Sequence, residues 1–379
     1  MVDPLLMSLR VLARRIHLIA TLGAGLWLAL SGLTGSLLVF GDQLDELFHP
    51  ELYRIAQPAE RASMDVVLQN VSEAGGEVMW ARLSGSESPV HEVWVDCDRC
   101  QRVWVDPSTG LVNGVRSYDG TTRLWLHELH RRMLLGDAGE RAVGWAGLFL
   151  VGILLSGIAL WLPRKRQRAF RLLLSKGWKV ATHDLHRMGG LVVAPLLLLS
   201  ALSGIYFVFH DEIDSVLNRW TDPGAVEASR PALAPGISPD GMIRESERLF
   251  RSAEATWFTP ASQNRAATVR LRQSFESHPN GRTFVAIDPA SGNITGLIDP
   301  ARASVVSMLI NELYPLHIGR SGGIAHRLLL VLIGLTPSML LVTGLVMWWN
   351  RSLRRSWRRE IACKNVTSSS GDLQAFERG

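Results

Sequence analysis

Four stretches of the chain, residues 18–41, 142–162, 188–209 and 328–349, contain no Asp, Glu, Lys, Arg or His. Each is long enough to cross a hydrocarbon core about 30 Å thick, which a buried helix of a soluble domain seldom is, so four transmembrane helices are predicted. Between them the pattern changes. Residues 91–115, HEVWVDCDRCQRVWVDPSTGLVNGV, alternate apolar and polar positions about turn residues and predict strands. VRLRQSF and TFVAIDPASGNITGLI later in the chain do the same. Short helices are predicted over 64–75 and 240–254.

The pattern repeats. His17 lies 18 residues before Gly35 and 23 before Phe40, and His186 stands in the same relation to Gly204 and Phe209. Asp106, Pro107 and Gly110 match Asp288, Pro289 and Gly292 at a constant offset. Leu129-His130 matches Leu316-His317, Ser156-Gly157-Ile158 matches Thr343-Gly344-Leu345, and Trp161 matches Trp348. The expected architecture is an α-helical membrane protein, a four-helix transmembrane bundle built from two tandem repeats, each carrying an outer α+β domain. Its segments are 1–41 (N-terminus and first span), 42–126 (first outer domain), 127–162 (His-bearing segment and second span) and 163–187 (basic loop). There follow 188–210 (third span), 211–316 (second outer domain), 317–349 (His-bearing segment and fourth span) and 350–379 (basic tail).

Composition agrees, with 47% apolar residues and a net charge of +5. Residues 1–17, 163–187 and 350–379 together hold 18 Lys+Arg against 5 Asp+Glu, while the two long connectors are acidic. The positive-inside rule then places both termini and the 163–187 loop in the cytoplasm and the connectors outside the inner membrane. The basic balance reports topology, and no nucleic-acid partner is expected. The first span is too long for the core of a secretory signal and lacks a small-residue cleavage pattern, so it reads as a retained anchor. Cys97 and Cys100 sit at a turn in C-x-x-C spacing. A local disulfide at a hairpin tip, a redox dithiol and half of a metal site are the readings open to them. Cys363, in the tail, is expected to stay reduced.

Four histidines are matched by the repeat: His17 and His186 at the inner edge, His130 and His317 at the outer. His183 and His127 precede two of them by three residues, and His210 and His326 flank the outer ends of the third and fourth spans. Imidazoles from facing helices hold haem iron at both axial positions, so one haem per pair is the expectation, with His210 and His326 as the rival outer pair. Zinc sites draw on more carboxylate or thiolate at close spacing, and a proton relay would need acidic groups within the spans. Trp94, Trp104, Trp125, Tyr118 and Tyr314 are candidates for substrate contact or for core. Arg131 and Arg320 are candidates for screening haem propionates or for solvated surface.

The runs LHELHRRMLLG, LSGIALWLPR, VTGLVMWW and LHIGRSGG, with the Asp-Pro-x-x-Gly strand units, resemble the PepSY-associated transmembrane family of iron-regulated bacterial inner-membrane proteins. The resemblance covers nearly all of residues 10–355 and is nearest to the FoxB-type ferric siderophore reductases. It implies PepSY-like periplasmic domains, two haem b groups and reduction of iron held by a hydroxamate siderophore of the ferrioxamine kind, with a cytoplasmic or quinol electron donor. Family members carry His followed by Arg at the head of the first helix, as in His186-Arg187, whereas this chain has His17-Leu18. The competing readings are a non-enzymatic sensor or protease-restraining protein, and a siderophore permease.

Overall fold

The computed structural model describes residues 4–56, 61–74, 76–96, 101–117, 120–162, 177–226, 235–262 and 265–376, the last 24 of these by backbone alone. Cys97, Cys100, Tyr118, residues 163–176 and the side chain of Cys363 lie outside the described residues. Four helices are long and apolar enough to span a membrane: α1 (Pro4–Leu38), α5 (Gly136–Trp161), α6 (Trp178–Val208) and α10 (Gly323–Phe376). Three of them start well before the charge-free windows. Long basic side chains near a helix end can extend toward the interface, so the helix need not stop where the apolar text does. His17, His183 and His186 therefore lie inside helices, with backbone hydrogen bonds on either side.

The chain divides into two compact units. The first comprises Met1–Leu33, Ala146–Ala201 and Ile333–Gly379. Its helices approach through small residues: Ala24, Ala29 and Ala194 are buried, and a Cβ added at Gly32 would collide with the carbonyl oxygen of Gly334. Close backbone approach of this kind lets dispersion contacts hold helices together in lipid, where apolar burial gives no net gain. Leu26 and Val192, 71% and 69% exposed, mark faces that suit acyl chains and not water.

The second unit, Thr34–Trp145 and Leu202–Leu332, is built on a sheet. In chain order its short elements are α2 (Gly41–Phe48), α3 (Met64–Glu73), β1 (Glu77–Arg82), β2 (His91–Asp96), β3 (Gln101–Val105), β4 (Val112–Ser117) and α4 (Thr122–Arg132). Then come α7 (His210–Leu217), β5 (Ala225–Val226), α8 (Pro239–Leu249), β6 (Glu254–Thr259), β7 (Ala267–Arg272), β8 (Thr283–Ile287), β9 (Ile294–Ile298) and α9 (Val305–Ile318). Serine or threonine caps start four of the helices: Ser63, Thr121, Ser238 and Ser304 each accept from a backbone N–H three residues on. The two Asp-Pro-x-x-Gly turns close alike. Gly110 N donates to Asp106 O and Gly292 N to Asp288 O, both at 2.8 Å, and both glycines hold a positive φ that a side chain would strain.

Where the alternation alone suggests two separate modules, the strands form one nine-stranded sheet in the order β4-β3-β2-β1-β6-β7-β8-β9-β5. The junction is short, Ala81 opposite Phe258 and Arg82 opposite Trp257. It pairs two strands that would otherwise present open edges. Val93, Val103, Val269, Leu271, Val285 and Ile287 face Val67 and Val71 of α3 and Met242 of α8 in a common core. The helix expected over 240–254 ends at Leu249, because β6 claims the residues from Glu254 onward.

On the sheet, Glu92 is 1% exposed and meets Arg82 at 2.9 Å, Arg102 at 3.3 Å and Arg123 at 2.8 Å. Burial alone would push its carboxyl up, but Arg123, Arg82 and Arg102 overcome this and hold it down at about 2. Removing the carboxylate on which three arginines converge should cost about 3–5 kcal/mol, so Glu92→Gln should melt well below the parent at pH 7. The folded pKa lies below the ordinary 4.5, so this contribution is complete above pH 4.5 and fades as pH falls toward 2. Thermal unfolding in detergent between pH 7 and pH 3 should show the gap between parent and variant closing as acid is added.

Candidate functional site

Among the described residues, two histidine pairs come together. His17 of α1 faces His186 of α6 with ring centroids 6.2 Å apart and planes at 83°. His130 of α4 faces His317 of α9, again at 6.2 Å, with planes at 58°. Neither pair is stacked. An imidazole nitrogen lies about 1.2 Å from its ring centre and a metal–nitrogen bond is about 2 Å, so two rings sharing one metal keep their centres roughly 6 Å apart.

The second pair is carried by short helices that stop just before the spans. Met133 and Leu134 take positive φ after α4, and Gly319 does so after α9. Each His-bearing helix thus ends in a left-handed turn, within a few residues of its imidazole, and the chain is re-aimed into the next helix.

Every ring of the four is held at Nδ1 by a hydroxyl from another helix. His17 Nδ1 meets Ser156 Oγ at 3.2 Å and Ile153 O at 3.0 Å, and His186 Nδ1 meets Thr343 Oγ1 at 2.9 Å. His130 Nδ1 meets Thr34 Oγ1 at 3.1 Å, and His317 Nδ1 meets Ser203 Oγ at 2.7 Å. Each hydroxyl is followed by glycine: Thr34-Gly35, Ser156-Gly157, Ser203-Gly204 and Thr343-Gly344. A Cβ at Gly35, Gly157 or Gly344 would lie 3.0, 3.3 or 3.2 Å from the Cε1 of His130, His17 or His186. The hydroxyl grips one edge of the ring while the missing side chain lets that edge rest on the helix backbone.

Proton accounting fixes the tautomer in the first pair. Ser156 Oγ already donates to Gly152 O at 2.6 Å, and Thr343 Oγ1 to Met339 O at 2.8 Å. These hydroxyls must therefore accept from the rings, as the carbonyl of Ile153 must, so Nδ1 carries the proton and Nε2 keeps its lone pair. That is the form in which imidazole binds a metal, with its other nitrogen oriented by a hydrogen bond. In the second pair, burial and then the neighbouring His130 push His317 down to about 4, leaving it neutral at pH 7.

The other candidates fall elsewhere. His210 Nδ1 lies 3.2 Å from Phe207 O, and its Nε2 pairs with Asp211 at 3.3 Å, so the structure gives it no ring contact with His326. The His326 ring lies against Gly322. His183 pairs with Asp184 at 3.3 Å and lines a cavity of about 130 Å³ together with Lys179, Thr182, Met347 and Arg351. His127 precedes His130 by three residues on α4, and burial, then Arg131, pushes it down to about 4. Arg131 is matched to Glu140 at 2.7 Å and Arg320 to Asp42 and Glu87 at 3.3 and 3.0 Å, so neither charge awaits an anion. Trp104 is core, Trp94 packs on Trp257 at 4.9 Å, and Trp125 and Tyr314 are partly exposed. Among the described residues no three His, Cys, Asp or Glu side chains gather around a common point.

Sequence reasoning takes Ser156-Gly157 and Thr343-Gly344 as repeat markers, with Gly35 and Gly204 alone in the other two spans, and misses the role of the hydroxyls; the signal is that every predicted span contains a Ser/Thr-Gly dipeptide. A family model described as PepSY-associated TM region matches residues 14–351. No curated protein matches the chain.

Thr343→Val keeps the volume but removes the acceptor from His186. The lost hydrogen bond is worth about 1 kcal/mol, enough to let the Nε2–H tautomer appear. Nitrogen-15 spectra of histidine-labelled, metal-free protein should show a single Nδ1–H form for His186 in the parent and a mixture in the variant, with His130 unchanged.

Proposed function

Because the chain belongs to the PepSY-associated TM family, we propose that it is a haem-dependent oxidoreductase of the bacterial inner membrane, a ferric siderophore reductase. The observation that carries this reading is the doubled histidine pair, each ring at a spacing suited to one metal and each oriented through Nδ1 by a Ser or Thr hydroxyl. His17 with His186, and His130 with His317, would each hold one haem b. The groups fit: two neutral nitrogen donors per site, with no competing cluster of carboxylates or thiolates among the described residues, suit a porphyrin iron.

When bound, such a haem supplies a one-electron ferric/ferrous couple. The chain's own residues do the rest. The histidines fix the positions of the couples, the Ser/Thr-Gly pairs keep the rings from turning, and the apolar helices keep water from the pairs. Overall, one electron from a cytoplasmic or quinol donor converts a ferric hydroxamate chelate such as ferrioxamine to its ferrous form. Hydroxamate oxygens are hard ligands that hold ferric iron far better than ferrous, so reduction releases the metal without cleaving the chelator. The cavity beside His183, three residues before His186, supports donor approach at that pair.

The basic flanks of the spans support cytoplasmic termini and a periplasmic sheet domain. The matching order of helix, strands, Asp-Pro-x-x-Gly turn and histidine-bearing helix on either side of the β1–β6 junction supports an origin in two tandem PepSY-like repeats.

A visible spectrum of the purified protein tests the reading. A Soret band with a reduced α band of b type, and two haems per chain, are expected. His17→Ala and His186→Ala should each remove about half the haem, and His130→Ala and His317→Ala the other half. A folded, colourless protein would favour the sensor or protease-restraining role instead.

A further inference from the structure

Several arginines around the sheet are matched by carboxylates. Arg82, Arg102 and Arg123 converge on Glu92, Arg272 meets Glu87 and Glu254, and Arg320 meets Asp42 and Glu87. Arg270 and Arg282 differ. Both are part-buried, and among the described residues neither has a carboxylate within ion-pair distance. Arg270 spends two donors on the carbonyl of Gly281, at 2.9 and 2.6 Å, and lies over the Phe284 ring. The Nε of Arg282 is buried without an acceptor. Glu276 acts on both through its charge without an ion-pair contact, and its oxygens are already engaged: they accept from Gln273 N at 3.0 Å, from Thr283 Oγ1 at 3.0 Å and from the backbone N–H of Arg282.

Two further groups complete the cluster. His278 accepts at Nδ1 from Asn280 N at 3.1 Å, which leaves its proton on Nε2 as a donor. Burial, then Arg282 and Arg270, push this ring down to about 2, so it is a neutral donor at any ordinary pH. It stacks on Tyr314 at 5.0 Å and 26°. Tyr314 leads to the histidine pair: it contacts Phe207 at 6.0 Å, Phe207 contacts His317 at 5.4 Å, and Tyr314 itself precedes His317 by three residues on α9. Part-buried cations without counter-ions are costly, and planar guanidinium forks suit carboxylates.

We propose that Arg270, Arg282 and His278 form a carboxylate-binding site beside the His130–His317 pair, reached through Tyr314 and Phe207. The inference rests on the haem reading of that pair, because the carboxylate has two possible sources there. One is a propionate of the resident porphyrin, and the other is a free carboxylate, as in a carboxylate chelate of ferric iron. Arg131 and Arg320, matched within the protein, are not the residues for this task.

The test uses the full-length protein in detergent, with R270Q, R282Q and the double variant, and R248Q, an exposed arginine of α8, as control. Haem per chain and both midpoint potentials are measured, and citrate is titrated calorimetrically. If the carboxylate belongs to the porphyrin, the double variant lowers the occupancy or potential of the haem that H317A removes and spares the other. If it is free, the parent binds one citrate and the double variant binds it at least tenfold more weakly. R270K and R282K, which keep the charge, should hold closer to the parent than R270Q and R282Q in haem, potential and citrate binding, and guard against simple misfolding. Unchanged haem and potentials together with no citrate binding, or citrate binding indifferent to every variant, would overturn the proposal. A protein that binds no haem but loses citrate in R270Q/R282Q would refute the haem reading and leave the carboxylate site standing.

Discussion

The site depends on a hydrogen bond between a helix hydroxyl and the Nδ1 of an imidazole on another helix, made four times. A free imidazole rotates and exists as two tautomers, and neither freedom is compatible with a fixed donor. The hydroxyl restrains the rotation of all four rings. At Ser156 and Thr343 it also settles the tautomer, because each gives its own proton to a carbonyl one turn back and leaves only its lone pairs for the ring. The glycine that follows makes the approach possible. Alanine at Gly35, Gly157 or Gly344 would put a methyl carbon 3.0–3.3 Å from a ring carbon.

This arrangement also explains the repeat spacing. Each helix that carries a Ser/Thr-Gly pair serves a histidine on a different helix, so hydroxyl and ring must keep their levels together. His17 and Gly35, and His186 and Gly204, share one separation because each of α1 and α6 carries a ring in its N-terminal half and a hydroxyl-glycine near its C-terminal end. The sheet domain follows a different logic. There several buried charges are matched around Glu92, and Arg270 and Arg282 depart from that pattern.

The spans, the strands about the Asp-Pro-x-x-Gly turns and the four principal histidines were all legible in the text, since apolar runs, alternation and fixed offsets survive in one dimension. The pairing of His17 with His186 and of His130 with His317 followed from their equal levels. Less was visible wherever partners are distant in sequence. Nothing local in Ala81 or Phe258 announces that β1 and β6 join two sets of strands. The left-handed breaks at Met133 and Leu134 were hidden because neither residue favours that conformation. Arg131 and Arg320 were candidates for propionates or solvent until Glu140, Asp42 and Glu87 were found against them.

The committed hydroxyl protons at Ser156 and Thr343 bear on what the His17–His186 pair can transport. A histidine relays a proton by taking it on one nitrogen and releasing it from the other, which requires an acceptor able to carry the released proton onward. Here Nδ1–H points at a backbone carbonyl or at a hydroxyl whose own hydrogen is tied to its helix. No Grotthuss-style hop can start from those rings without breaking a helical contact. The same bonds that ready Nε2 for a metal thus make the pair a poor proton relay.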